Sequence, residues 1–266
     1  MRIPRFALLL VCLLVVLSVS AHQSSPPTAQ APQRDPQAVA ILTQALNAAG
    51  GVSAIAAVQD FTATGNVTYA SADSTPASVS IRGRGLHEFR IDATLTDGVH
   101  SWIINSGAAL QKNPDGSTSP LPSQDTIKPA STMFPLLELL TAVQDPSIGV
   151  SYEGSVTHDG QQVQAIAVQK YFPLGEDPAG ALSGITKAHI FIDPNAFTVQ
   201  SIVDKAFRRD GGQGEYSHET QFSNYQKVSG MLVPFAITES IAGQQTTMIQ
   251  LSQITFNTGL NDADFE

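Results

Sequence analysis

Cysteine is almost absent from this chain, since Cys12 is the only one among its 266 residues. Charged residues make up only 14% of the sequence and aromatic residues only 7%. The 23 aspartates and glutamates outnumber the 14 lysines and arginines, which gives a formal net charge of −9. A chain this acidic, with no run of basic residues, does not suit a nucleic acid as a partner. Its hydrophobic content of 42% excludes an intrinsically disordered protein.

The amino-terminal segment has the pattern of an export signal. Arg2 and Arg5 provide positive charge, an apolar run follows as far as Leu17, and Ala21 supplies the small residue of a signal-peptidase site. The run is shorter than the roughly 17 to 25 residues that a membrane-spanning helix needs. We therefore expect residues 1–21 to be a signal peptide that is cleaved after Ala21, and the protein to be periplasmic.

Cleavage at this point would also remove Cys12. The mature chain would then have no disulfide, no thiolate metal site and no cysteine nucleophile, so core packing would have to stabilise it. The alternative is that Cys12 is lipidated in a bacterial lipobox. That motif needs a small residue before the cysteine, whereas Val11 stands there, and half of the apolar run would remain on the mature protein.

The composition changes after the signal. Residues 22–34 are rich in Pro, Ser and Gln without a periodic apolar pattern, which predicts a flexible leader. Residues 35–266 follow as a single predicted domain. Asp35-Pro36 is a typical start of a helix, and Gly50-Gly51 is a typical end.

Short alternating or β-branched runs, separated by turn residues, dominate the rest of the chain and predict strands. One apolar helical face interrupts them at about residues 131–143, where Pro135 is tolerated because it falls in the first turn. Most consecutive strands have no helix between them, so we expect antiparallel neighbours. The predicted strands cover residues 61–70, 77–84, 86–95, 98–105, 108–112, 148–156, 162–172, 185–193, 197–207, 215–227, 231–242 and 244–256.

The predicted fold is therefore mainly β with a few helices. A long antiparallel meander has to curve, and an open or half-closed sheet needs an element to fill its concavity. The helix at 131–143 is the candidate for that place. We expect a half-open β-barrel with a helical lid or plug, formed by a curved antiparallel meander.

The last third of the chain carries a set of turn and packing motifs. One strand ends in Asp193-Pro194, a hairpin has the spacing Tyr225-x-Lys227-x-x-Gly230-x-x-x-Pro234, and the chain ends in Asp262-Ala263-x-Phe265. Over about residues 185–266 these motifs resemble bacterial periplasmic proteins related to the lipoprotein carrier LolA. The resemblance implies a half-open antiparallel barrel closed by helices, and a protein that binds something acylated or apolar. Such motifs support a fold better than a function.

On this interpretation the apolar helix face lines a cavity for acyl chains, with ordinary core packing as the alternative. Methionine and phenylalanine suit such a lining because they adapt to variable apolar ligands. The carrier's cavity arginine has no assigned counterpart, because Arg82, Arg84 and Arg90 lie on predicted strands whose solvent-facing side accounts for them equally well. The predicted ligand-binding residues are Met133, Phe134, Leu136, Leu137, Leu140 and Phe235.

Motifs for catalysis are lacking. The sequence has no nucleophile elbow, no zinc-protease motif and no phosphate-binding loop. Its six histidines show no local spacing typical of a metal site. We therefore predict no catalytic residue, no metal site and no cofactor, and a non-enzymatic periplasmic carrier for lipid or lipoprotein acyl chains. An envelope protein-interaction or sensor module with the same fold is the alternative, and a hydrolase is disfavoured.

The expected partners follow from these two roles. They are an acyl chain or lipoprotein for the carrier and an envelope protein for the interaction module. We expect transient membrane contact and a monomeric protein.

Overall fold

The computed structural model of this chain describes residues 32–70, 75–105, 108–121, 134–207 and 214–266. The predicted signal peptide, most of the predicted leader and Met133 lie outside the described residues. Strands dominate the described ranges, as the sequence predicts.

The strands form one 13-stranded antiparallel sheet. Their bounds are β1 (Asp60–Tyr69), β2 (Ala77–Arg84), β3 (Glu88–Leu95), β4 (Gly98–Asn105), β5 (Ala108–Lys112), β6 (Thr118–Pro120), β7 (Ile148–His158), β8 (Gln161–Lys170), β9 (Ala188–Ile192), β10 (Val199–Phe207), β11 (Glu215–Val228), β12 (Met231–Ile241) and β13 (Gln244–Phe256). Strands that are consecutive in the chain are neighbours in the sheet, except that β6 and β7 do not pair and β1 pairs with β13 instead. β6 and β7 therefore form the two edges of the sheet. The sheet is curved and does not close, so the predicted half-open barrel is confirmed.

Three helices pack against one face of this sheet, namely α1 (Pro36–Ala48), α2 (Val52–Ala56) and α3 (Pro135–Gln144). α1 begins as predicted, because the Asp35 side chain accepts a hydrogen bond from the Gln37 amide at 2.8 Å. The chain leaves α1 through Gly50, whose φ is +126° and where a Cβ atom would lie 2.9 Å from the carbonyl oxygen of Gly230. Only glycine permits that close approach. No helix in the described ranges is long and apolar enough to cross a bilayer.

Some short elements and boundaries differ from the sequence prediction. β6 was not predicted because its three residues are all exposed and have no apolar alternation. A five-residue helix, α4 (Ala181–Ile185), is not predicted by the sequence either; it is only slightly more than one turn long, and Asp177 just before it accepts hydrogen bonds from Ser183. α3 begins at Pro135 rather than at 131, and the residues just before Phe134 lie outside the described part.

The alternation of side chains divides the sheet into two faces. In β1, Phe61, Ala63 and Val67 are buried, whereas Thr64 and Asn66 between them are exposed. The register carries the same division into the neighbouring strands. The inner face, which includes the three buried residues, packs against α1, α2 and α3 and forms the hydrophobic core. We call the opposite side the outer face.

A buried carboxylate attaches the carboxyl-terminal segment to the start of β1. Asp60 is 4% exposed and accepts hydrogen bonds from the Thr258 amide (2.6 Å) and hydroxyl (2.8 Å) and from the amides of Gly259 (3.0 Å) and Leu260 (3.2 Å). Burial alone would raise the pKa of Asp60, but these hydrogen bonds outweigh it and hold that pKa below its ordinary value. The folded protein therefore favours the charged carboxylate.

Asp60→Asn is expected to lower the free energy of unfolding by about 2 kcal/mol at neutral pH, because an amide cannot accept hydrogen bonds on both of its heavy atoms. Since the folded-state pKa is depressed, this stabilisation is present above the unfolded-state pKa of about 3.9 and is lost as the pH falls through the folded-state value. Denaturant unfolding of both proteins across that range should show a difference that shrinks in acid.

Asp115→Asn is the matched control for this substitution. Asp115 is exposed in the β5–β6 turn and accepts a hydrogen bond from the Ser117 amide at 2.9 Å. Asp115→Asn should lower the free energy of unfolding much less than Asp60→Asn does. A difference at Asp60 that does not change with pH would contradict the role given to its carboxylate.

Candidate functional site

Five of the six predicted ligand-binding residues lie together in the core beneath the inner face. Phe134, Leu136, Leu137 and Leu140 of the α3 region and Phe235 of β12 are between 2% and 8% exposed and belong to one hydrophobic cluster. The sixth, Met133, lies outside the described residues. The structure thus brings the predicted group together, and its role in lining a ligand site stays a prediction.

Aromatic contacts hold the amino-terminal end of α3. The Phe134 ring lies between Phe61 of β1 and Phe256 of β13, with centroid distances of 5.5 and 5.3 Å. Pro135 follows as the first residue of the helix, where it removes no intrahelical hydrogen bond. Seven of the ten residues of the helix are buried. Six of these are apolar or proline, and the seventh is Glu138. This end of the helix therefore packs where β1 and β13 pair.

A single arginine side chain holds the other end of α3. The Arg34 guanidinium donates hydrogen bonds to four carbonyl oxygens, those of Ala142 (2.9 Å), Val143 (2.7 Å), Asp145 (2.8 Å) and Ile148 (2.5 Å). Carbonyl groups at the end of a helix lack intrahelical partners, and a cation there also interacts favourably with the helix dipole. Arg34 therefore acts as a clamp on α3.

The sequence alone does not reveal this clamp. Arg34 is the last residue of the predicted leader, but it forms a parallel bridge with Val150 of β7, and the Gln33 carbonyl accepts a hydrogen bond from the Val150 amide at 2.8 Å. The end of the leader is thus part of the folded domain. No local signal distinguishes an arginine that caps a helix 108 residues further along the chain.

Toward the β12–β13 hairpin the inner face carries aromatic and polar side chains. Tyr69 at the end of β1 lies 6.0 Å from Trp102 of β4, and the His100 ring stacks on Trp102 at 6.3 Å. Burial, with a contribution from the charge of Glu239 on β12, raises the pKa of Tyr69 to about 12. The Tyr69 phenol therefore stays protonated at physiological pH and keeps its hydrogen-bond donor.

A cavity of about 510 Å³ lies at this hairpin end of the sheet. Its size is in the range of small-molecule sites. Tyr216 and Ile241, each 38% exposed, contribute apolar surface to it. The other lining residues are Ala70, Ala242, Gln244, Gln245 and Thr246.

The three arginines that the sequence left unassigned lie on the outer face, away from the apolar interior. Arg82 and Arg90 both contact Asp92, at 3.2 and 2.8 Å, while Arg84 pairs with Glu88 at 2.5 Å. Arg84 and Arg90 also contact the carboxyl-terminal segment, at the Asp262 side chain and the Glu266 carbonyl. These contacts make Arg84 and Arg90 anchors of the chain end, whereas Arg82 pairs only with Asp92 among the described residues.

A group of potential metal ligands also lies on the outer face. One ligand atom from each of His158, Asp159 and Glu219 lies within 4.8 Å of the other two. Sequence spacing could not reveal this group, because Glu219 follows His158 by 61 positions.

Comparison with known proteins supports the fold. No model of a known protein family matches the chain, and no curated protein does. A solved domain from Vibrio parahaemolyticus, assigned as an outer membrane lipoprotein-sorting protein, is 15% identical with a TM-score of 0.55, and the match covers 86% of this chain and 96% of that one.

Two further solved structures are similar over 86% of this chain and 97% of their own. A LolA superfamily protein from Nitrosomonas europaea is 9% identical with a TM-score of 0.53. A DUF1329 family protein from Desulfovibrio piger is 12% identical with a TM-score of 0.51. Identities this low establish a shared fold and nothing more. The fold implied by the carboxyl-terminal motifs is confirmed.

Proposed function

We propose that this protein is a periplasmic, non-enzymatic carrier that binds the acyl chain of a lipid or lipoprotein on the inner face of its half-open barrel. The observation that carries the proposal is the unclosed sheet, whose apolar inner face is covered by α3 and ends in the half-buried pair Tyr69 and Trp102. The export-signal pattern and the lipoprotein-sorting assignment of the Vibrio neighbour support it.

In this proposal α3 is the lid. Burial of Leu136, Leu137 and Leu140 stabilises the closed form by about 1.5 to 3 kcal/mol each. Shielding a 16-carbon acyl chain from water contributes about 12 kcal/mol, at roughly 0.8 kcal/mol per methylene. The two quantities are of the same order. A chain that enters from water and replaces α3 on the inner face would therefore bind reversibly. A chain taken from a membrane gains little of this energy because both environments are apolar, so loading from a membrane requires that α3 opens at low cost.

The polar groups at the hairpin end would receive the other end of the ligand. Tyr69 provides a hydroxyl donor beside Trp102, and Glu239 adds negative charge nearby. This arrangement suits a neutral or hydrogen-bonding head group at the edge of the apolar face. It favours a glyceride-like or lipoprotein ester group over a free carboxylate.

Trp102 is the only tryptophan of the chain and lies on the proposed binding face, so its fluorescence reports on ligand entry. The mature chain is purified from a bacterial periplasm, stripped of lipid and titrated with methyl esters of stearate and of dibrominated stearate. Bromine quenches tryptophan only at close range. We expect saturable quenching by the brominated ester and little change with the unbrominated one.

Val99 provides the matched control, because it lies three residues before Trp102 on the other face of β4 and is 46% exposed. The double variant Trp102→Phe with Val99→Trp should take up the ester without being quenched. Equal quenching at both positions would contradict binding on the inner face.

Mass spectrometry of the unstripped protein gives an independent measurement. Co-purified acylated molecules would support the carrier. If no lipid is found and Trp102 is not quenched, the carrier proposal is wrong. A stoichiometric protein partner would then favour the interaction module.

A further inference from the structure

The distal half of the β7–β8 hairpin bends across the outer face of the sheet. The pairing of β7 with β8 shifts between Tyr152 and Gly154, and beyond this point the hairpin tip reaches strands that are not its neighbours in the sheet. His158 at the end of β7 stacks on Phe191 of β9, and its Nε2 lies 2.7 Å from Glu219 Oε1 on β11. A cavity of about 240 Å³ lies beside these contacts and is lined by the hairpin tip and by β10, β11 and β12.

Three oxygen atoms converge on one imidazole nitrogen at the edge of this cavity. Glu219 Oε1 is 2.7 Å, the Ser201 hydroxyl 3.2 Å and Asp159 Oδ2 3.8 Å from His158 Nε2. A serine nucleophile activated by histidine would need its carboxylate on the opposite ring nitrogen, Nδ1. Here the serine and the glutamate share Nε2, so the geometry does not match a catalytic triad. Convergence of nitrogen and oxygen donors on one point is typical of a cation site instead.

We propose that His158, Asp159 and Glu219 bind a divalent transition-metal ion such as Zn²⁺. Zinc holds nitrogen and oxygen ligands at about 2.0 to 2.2 Å, which places tetrahedral ligand atoms roughly 3.4 Å apart. The distances of 2.7 and 3.8 Å bracket that value, so small side-chain rotations would accommodate the ion. One imidazole with two carboxylates suits zinc, copper or nickel better than calcium or magnesium.

Surrounding side chains already orient the proposed ligands. The His158 ring lies parallel to that of Phe191, with centroids 3.9 Å apart and an interplanar angle of 7°. The Gln221 amide donates a hydrogen bond to Asp159 Oδ2 at 2.5 Å. Ser201 is 2% exposed and lies beside Nε2, whereas the Asp159 side chain is 60% exposed and leaves the site accessible from solvent. Such outer contacts orient ligands and strengthen metal binding.

The test is a calorimetric titration of the untagged, chelator-treated mature chain with ZnCl₂, combined with the visible absorption of the Co²⁺-substituted protein. Both are done in a His22→Ala background, so that the histidine of the leader does not contribute. We expect one equivalent of Zn²⁺ per chain, a Co²⁺ spectrum typical of nitrogen and oxygen ligands, and a higher thermal midpoint with Zn²⁺.

His158→Ala and the isosteric Glu219→Gln should each weaken Zn²⁺ binding at least about tenfold and abolish the thermal shift. Circular dichroism checks that the variants fold, and Glu219→Gln keeps the shape of the site if His158→Ala does not. The matched control is His189→Ala, because His189 also lies 2.7 Å from a carboxylate, that of Glu153, but belongs to no such cluster in the described residues. It should bind Zn²⁺ like the parent protein.

Two results would overturn the proposal. One is the absence of saturable Zn²⁺ binding by the parent protein, which would leave His158 and Glu219 as a hydrogen-bonded pair only. The other is equal Zn²⁺ affinity in the parent, His158→Ala and Glu219→Gln proteins. Neither result depends on lipid binding, because the site lies on the face opposite the proposed carrier surface.

Discussion

Phe134→Ala is expected to lower the free energy of unfolding by about 3 to 5 kcal/mol, as is typical when a buried phenylalanine is truncated. Phe134 is 2% exposed and its ring contacts two others, on the first and the last strand of the sheet. Truncation removes both ring contacts and leaves a cavity where α3 begins. Denaturant unfolding followed by circular dichroism measures the loss.

Phe134→Leu is the matched control, because it keeps most of the apolar volume and should cost less than about 1.5 kcal/mol. A loss below about 1 kcal/mol for Phe134→Ala would contradict the position of this ring in the core. The alanine variant also tests the lid. If α3 covers the acyl site, loosening its amino-terminal end should increase the rate at which the brominated ester quenches Trp102.

Arg34→Ala is expected to lower the free energy of unfolding by about 3 kcal/mol, because four carbonyl oxygens lose a charged hydrogen-bond donor. The substitution should destabilise the carboxyl-terminal end of α3 locally and leave the local stability of the distant strands unchanged. Hydrogen exchange resolved by segment would show faster exchange in residues 135–148. Stopped-flow mixing with the brominated ester should show quenching at least several-fold faster than in the parent protein.

Arg34→Lys retains a cation and one or two of the bonds, so its loss should be intermediate. Arg82→Ala is the control for a general effect of removing an arginine. Arg82 forms one ion pair with Asp92 at 3.2 Å and is 30% exposed, so its removal should cost at most about 1 kcal/mol. An Arg34→Ala protein as stable as Arg82→Ala would show that the clamp does not hold α3 in solution.

These two variants separate stability from function. If both destabilise the protein while the rate of ester uptake stays constant, α3 is a core plug rather than a lid. Faster uptake in both would instead link the opening of α3 to ligand entry, because the two substitutions act on opposite ends of the helix.

Much of the fold was predictable because its signals are local. Alternation of apolar and polar residues marks each strand and decides which side chains face inward, as Phe61 and Ala63 do in β1. Asp35 with Pro36 marks the start of α1 through a hydrogen bond that spans only two residues. Leu136, Leu137 and Leu140 of α3 likewise share one helix face through spacing alone.

The candidate site was predictable only in part. The sequence selected the apolar residues of the α3 region and Phe235, and the structure places the described ones in one buried cluster. The sequence could not separate a lining from a core, because both use the same residue types at the same spacing. It also missed Arg34, since a charged residue next to a Pro- and Ser-rich segment has the composition of a leader.

What the sequence determined by itself is therefore the scarcity of cysteine, the pattern of an export signal and the alternation that produces a long antiparallel meander. Only the tertiary structure decided that β1 pairs with β13, that Arg34 clamps α3 and that His158 meets Glu219. The physical reason is separation along the chain. These contacts join residues 61 to almost 200 positions apart, and they depend on the curvature of the sheet and the bend of one hairpin, for which no local pattern exists.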